Sequence, residues 1–267
     1  MEQITCLNCD YTIDENFCRH CGQKRFKRID KKYVTDEIQY LLIHTNKGFL
    51  YTIKKLLKNP GKTAREFIDG NRVNHYKPLL LMFVLSGISA FVSYKIIELN
   101  KIAKEIYTAQ HLNAPFMNDM MTFLASYNSL LMLLLIPIFA FCSWIAFSKW
   151  KNNYYEHIVM NAYILSVQTI LMLVFSSPLL YLFKNNHTYF TYILSASFIF
   201  TPITLIWFFK GFYTDKSTKA ILWRILMTIG LALIIYFIAI IMLVIGGTIY
   251  GMLKGPEAAK YFLPPKA

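Results

Sequence analysis

From Pro78 onward the chain is built of long apolar blocks separated by short polar stretches. PLLLMFVLSGISAFVSY, about 78–94 with room to extend through Ile97, predicts a first membrane helix. Further blocks at about 121–147, 158–183 and 189–209, and one within 220–253, predict four more. Each approaches the ~20 apolar residues needed to cross ~30 Å of hydrocarbon. Lys77-Pro78 marks the start of the first, because proline suits the first helical position. The fifth block is long enough to imply tilt or an interfacial first turn, with two short passes as the alternative. Upstream the pattern changes. Val34, Ile38, Leu41 and Leu42 recur at helical spacing, and Phe49, Ile53, Leu56 and Leu57 repeat it, which predicts two amphipathic helices. Asn46-Lys47-Gly48 is expected to separate them, and Asn59-Pro60-Gly61 to end the second. A short third helix over 63–69 has Gly70 or Asn71 as its stop. Arg65, Glu66 and Arg72 are candidates for ion pairs there.

This divides the chain into a polar head with a basic linker (1–32), a cytoplasmic or interfacial segment of amphipathic helices (33–77) and a five-span domain (78–267). The fold class expected is an all-α polytopic membrane protein, with about five transmembrane helices and a small polar N-terminal head. Composition agrees. Of 267 residues, 55% are hydrophobic and 16% charged, against roughly 25% charged in a typical soluble domain. That excludes intrinsic disorder and disfavours a soluble enzyme. Five cysteines are too few for a disulfide scaffold. The first residues lack a basic region followed by an apolar stretch, so a cleaved signal peptide is not expected and the first span would direct insertion.

The net charge of +13 is unevenly placed. With five spans, 21 of the 28 Lys and Arg fall on the side of the N-terminus and 7 on the other. The positive-inside rule then puts the N-terminus in the cytoplasm and the C-terminus outside. Trp144, Trp150, Trp207 and Trp223 lie near the cytoplasmic ends of spans, where interfacial anchors belong.

The sharpest chemical signal is Cys6-x-x-Cys9 followed, eight residues later, by Cys18-x-x-Cys21-Gly22. Two such knuckles can present four thiolates to one ion at tetrahedral geometry, the arrangement of structural zinc. Zinc leads over an iron–sulfur cluster and over redox-active or free thiols, and a reducing cytosol argues against disulfides. Four thiolates close the coordination shell, which points to a structural role. Gly22 suits a knuckle turn of positive φ, His20 reads as a neighbour of the metal, and Cys142 as packing inside the second span.

The basic tract Lys24-Arg25-Phe26-Lys27-Arg28, with Lys31, Lys32, Lys54, Lys55 and Lys58, predicts contact with anionic lipid headgroups. Nucleic acid is the weaker alternative, since no recognition motif accompanies the charge. The spans carry few ionisable residues, which disfavours a proton-coupled transporter. Asn161 and Gln168 are the main polar side chains of the third. Glu156 and His157 open that span; capping by Glu156 is the plain reading, and a catalytic pair the alternative. Pro137, Pro178 and Pro202 predict kinks or an internal cleft.

Several segments resemble the bacterial DUF3667 family: Cys18–Lys24, Asp36-Glu37-Ile38, Lys47–Leu57, Asn59–Ile68, Asn71-Arg72-Val73, Tyr76-Lys77-Pro78 and Asn153–Val159. These proteins are found chiefly in Bacteroidota. The resemblance implies a cytoplasmic-membrane protein with a zinc-ribbon head, and implies no activity. Asn59-Pro60-Gly61 departs from the commoner Arg-Pro-Gly and drops one positive charge. The function expected is that of a non-enzymatic subunit or adaptor of a membrane complex, partnered by other membrane proteins. A channel, carrier or lipid-handling protein is the alternative, and a membrane-bound enzyme centred on Glu156 and His157 the third reading.

Overall fold

The computed structural model describes residues 4–6, 9–13, 17–21, 45–72, 74–112, 114–255 and 261–263. The chain divides into two compact units, Met1–Gly48 and Phe49–Ala267. The expected helix around Val34–Leu42, the basic tract at 24–32 and Gly22 lie outside the described residues.

The first unit contains a two-stranded antiparallel hairpin, β1 (Ile4–Thr5) and β2 (Thr12–Ile13), in register Ile4 to Ile13 and Thr5 to Thr12. Its tip is a turn in which the Cys6 N–H donates to the Tyr11 carbonyl and the Asp10 N–H donates to the Cys6 carbonyl. Asp10 takes φ 56 there, a left-handed conformation that Asp tolerates better than most residues.

The second unit is helical. Helix α1 (Thr45–Lys58) starts earlier than expected. Asn46-Lys47-Gly48 forms its first turn and does not break it, because backbone N–H groups in a first turn have no intrahelical partner to lose. Asn59 then caps α2 (Pro60–Ile68): its Oδ1 accepts from the Lys62 N–H at 2.9 Å, and Pro60 takes the first helical position. Helix α2 ends in a Schellman turn. The Gly70 N–H donates to Phe67 and the Asn71 N–H to Glu66, with Gly70 at φ 108.

Five helical stretches are long and apolar enough to cross a membrane: Pro78–Ile96, Asn128–Ala146, Tyr154–Leu182, His187–Phe212 and Thr218–Leu253. The first is α3 (Pro78–Phe91) extended by a π-turn, Val92–Ile96. Two amphipathic helices follow it, α4 (Leu99–Ala109) and α5 (Pro115–Ser126). Ile102 of α4 is buried in a small cluster with Ile97, Leu180 and Phe190. The second span is α6 (Asn128–Ala146), shorter than the 121–147 expected. Tyr127 leaves helical geometry (φ −110, ψ 16), so the residues before it belong to α5.

The third span is α7 (Tyr154–Leu171), a π-turn (Met172–Ser176) and α8 (Ser177–Leu182). The fourth is α9 (His187–Ala196), a 3₁₀ turn (Ser197–Ile199) and α10 (Phe200–Phe212). Both irregular turns lie just before a proline, Pro178 or Pro202. Proline has no N–H to donate and its ring crowds the carbonyl four residues back, so the preceding turn loosens or tightens. The fifth span is one uninterrupted helix, α11 (Thr218–Lys254).

The main core joins α1, α2 and the spans. Leu56 and Ala64 are buried with Leu81, Phe147, Tyr163, Val167, Phe208 and Phe209, and Phe49, Ile53 and Phe67 pack against them. Helices α1 and α2 therefore use their apolar face against protein. Gly61 shows how close this packing is. A Cβ there would lie 2.0 Å from the Phe208 carbonyl oxygen, and one on Gly211 would lie 2.3 Å from Asn59 Oδ1. The Asn-Pro-Gly motif thus caps a helix, fixes its first turn and lets it touch the backbone of α10.

Candidate functional site

The four head cysteines converge. Their sulfurs all lie within 4.8 Å of one another, with Cys6 to Cys21 and Cys9 to Cys18 at 3.6 Å. A tetrahedral ion with sulfur at ~2.3 Å holds its ligands about 3.8 Å apart. A disulfide would need about 2.05 Å. The hairpin tip presents Cys6 and Cys9, and the turn at 19–21 presents Cys18 and Cys21. Cys6 and Cys18 are buried. A backbone hydrogen bond from Tyr11 lowers the Cys9 thiol, but burial and the Cys21, Cys18 and Cys6 thiols push it up to about 12. Four sulfurs this close resist sharing negative charge, and a cation held among them would supply the compensation. The donor set and its spacing fit a metal ion. His20 is outside this set; it stacks on Tyr11 with ring centroids 5.7 Å apart.

Glu156 and His157 have separate surroundings. Glu156 completes a capping box on α7: its N–H donates to Asn153 Oδ1, and its Oε2 accepts from the Asn153 N–H and from Asn152 Nδ2. His157 is fully buried. Its Nδ1 lies 3.0 Å from Ser143 Oγ, which also accepts from Asn161 Nδ2 at 2.8 Å. Asn161 donates as well to the His157 carbonyl. His157 Nε2 has no hydrogen-bond partner among the described residues. This polar cluster bolts the second span to the third beside the buried Cys142. Deeper in the bundle Gln168 Nε2 donates to Thr201 at 2.7 Å, and Ser197 Oγ donates to Ser176 Oγ at 2.7 Å, where the two irregular turns meet.

The ion pairs expected of Arg65 and Arg72 with Glu66 are not those formed. Glu66 lies 3.6 Å from Lys55 and 3.7 Å from His75. Arg72 Nε donates to the Phe67 carbonyl at 3.1 Å, and Arg65 Nε to the Phe212 carbonyl at 2.8 Å. The helix places Glu66 one residue round from Arg65, so the two face different neighbours. His75 is buried against the rings of Tyr51 and Phe67. Its burial lowers its pKa despite the nearby Glu66, so the imidazole is held neutral.

Arg65 borders a cavity of about 410 Å³ that sequence reasoning missed. Ile68 and Asp69 at the end of α2, residues 149–152 after the second span, Phe212 at the end of the fourth, and Tyr213, Asp215 and Lys216 beyond it complete its wall. The Tyr213 hydroxyl donates to Asn152 Oδ1 at 2.9 Å, and burial raises its pKa. Trp150 lies edge-on to Tyr213, and the Arg224 guanidinium sits 4.5 Å from the Trp150 ring centroid. Arg224 Nη1 also donates to the Ala146 carbonyl, which satisfies the open end of the second span. No local motif encodes this cavity, because its walls come from three segments about 60 residues apart or more.

No curated protein and no solved structure matches the chain. Residues 46–90, which build α1, α2 and most of α3, match the model of the family described as Protein of unknown function (DUF3667).

Proposed function

We propose that this protein is a non-catalytic adaptor of a bacterial inner-membrane complex, with a zinc-held head in the cytoplasm and five spans that anchor it among other membrane subunits. The observation that carries the reading is the set of four converging sulfurs, Cys6, Cys9, Cys18 and Cys21. Four thiolates saturate zinc and leave no position open for a substrate, so the ion supports a surface. The excess of Lys and Arg on the head's side of the spans supports the orientation.

Two measurements test it. Purified full-length protein is expected to carry one zinc per chain, and Cys18→Ser or chelation to unfold the head while the spans stay helical, because metal-binding energy is folding energy in so small a unit. Zinc lost with no change in head structure sinks the structural role. Affinity purification at native expression is expected to recover other membrane subunits, and a lone protein at every detergent tested sinks the adaptor reading.

A second reading, a carrier or lipid-handling protein, has one observation in its favour. The breaks in spans three and four face each other through Ser176 and Ser197, and paired broken helices build binding sites in transporters. Liposomes reconstituted with the protein that show no flux or lipid scrambling above empty liposomes would remove it.

A further inference from the structure

The cavity beside Arg65 has the make-up of an anion site. Four cations border it, Arg65, Lys149, Lys151 and Lys216, against the two carboxylates of Asp69 and Asp215. Lys216 is already paired with Asp215 at 2.5 Å. Arg65, Lys149 and Lys151 have no carboxylate within ion-pair distance among the described residues. Arg65 still feels Asp215 across the hollow, but four cations against two carboxylates leave an excess of positive charge that attracts an anion from solvent or membrane.

The geometry adds selectivity. The bond from Arg65 Nε to the Phe212 carbonyl, with the guanidinium 4.8 Å from the Phe212 ring centroid, fixes the plane of the fork. A fixed guanidinium suits the tetrahedral oxygens of a phosphate. The volume falls in the ~300–1,000 Å³ range of small-molecule sites, which admits a headgroup.

Depth identifies the source. The wall segments 149–152 and 212–216 lie between the end of one candidate span and the start of the next, at Ala146, Tyr154, Phe212 and Thr218. That is the level of the lipid headgroups. Trp150 and Tyr213, on the wall, are residue types that collect at this level.

We propose that this cavity binds the phosphate of an anionic phospholipid headgroup, with Arg65, Lys149 and Lys151 as its ligands. This stands apart from the adaptor reading and from the metal head.

Calorimetric titration of the full-length protein in a neutral maltoside detergent tests it, with dioctanoyl phosphatidylglycerol, dioctanoyl phosphatidylcholine and inorganic phosphate as probes. Saturable binding of phosphatidylglycerol near one per chain is expected, with phosphatidylcholine at least about 10-fold weaker. The double variant Lys149→Gln/Lys151→Gln should weaken phosphatidylglycerol about 10-fold or more. Both lysines are exposed, so the variant should keep the unfolding temperature of the parent, measured alongside. Arg65→Lys, which keeps the charge and loses the fork, gives an independent arm and should weaken binding less than the double variant. Inorganic phosphate that competes fully with phosphatidylglycerol overturns the lipid assignment and leaves a soluble phosphate site. Equal binding by parent and double variant overturns the site itself.

Discussion

The third and fifth spans are both helices of membrane-crossing length, yet half of the third's most apolar window is buried inside the protein and none of the fifth's is. The third carries His157, Asn161, Ser166 and Thr169 on buried positions. The fifth is the more apolar of the two and presents Ile234, Tyr236, Phe237, Ile241 and Val244 outward. Polarity therefore tracks enclosure. Lipid tails are as apolar as a leucine side chain, so an apolar face gains little by leaving them, whereas a polar side chain needs a protein partner. The third span supplies those partners through Ser143 and the His157 carbonyl. The fifth is fastened near its start, where Ile221, Ile225 and Thr228 are buried and Arg224 bonds to Ala146.

The largest effect that would sharpen this contrast comes from matched tyrosines. Tyr163, fully buried in the third span, packs edge-on against Phe67 and donates to the Tyr76 carbonyl at 3.3 Å. Tyr163→Ala should cost about 3 kcal/mol through the cavity it leaves. Tyr236, mostly exposed on the fifth span, should cost no more than about 0.5 kcal/mol when changed to Ala. Denaturant titration in detergent measures both, and equal losses would break the contrast.

A smaller effect is expected at the contact between α2 and the fourth span. Gly61→Ala puts a Cβ against backbone that cannot move independently of α10, so the helices must part at a cost of about 1–3 kcal/mol. Protease sensitivity of residues 59–76 should rise while the fifth span is unaffected. Unchanged protection would show that α2 is not held by this contact.

The smallest concerns pH. His75 lies outside the spans, and its pKa is lowered from the ordinary 6.5 by burial. The folded protein therefore favours the neutral ring. That stabilisation is present above about pH 6.5 and is lost as the pH falls through the lowered value, because the unfolded chain takes up the proton first. The unfolding temperature should drop between pH 7.5 and 5, and His75→Gln should flatten the slope. A slope that persists in the variant assigns the effect to other groups.

Much of this was legible in the chain. Apolar block length announced five spans, since each block must match the bilayer by itself. Cys-x-x-Cys spacing announced the four-sulfur cluster, because two short knuckles can be read locally. Asn59-Pro60-Gly61 announced a helix boundary. Other features were not readable. The break at Tyr127 falls within an apolar run, and the approach of Glu66 to Lys55 and to the neutral His75 ring depends on where α1 and the following loop lie. Asn161 read only as one of the main polar side chains of the third span, while its partner Ser143 belongs to another span.

The sequence by itself determined how many helices are long and apolar enough to cross the membrane, where the cysteines gather and which face of α1 is apolar, because these rest on period, length and spacing within one segment. Only the tertiary structure decided what covers that face, which polar side chains satisfy one another and that Arg65 meets Lys149 and Lys151 around one cavity. Those depend on distances between segments, and no local pattern sets the separation of residues that helix packing brings together.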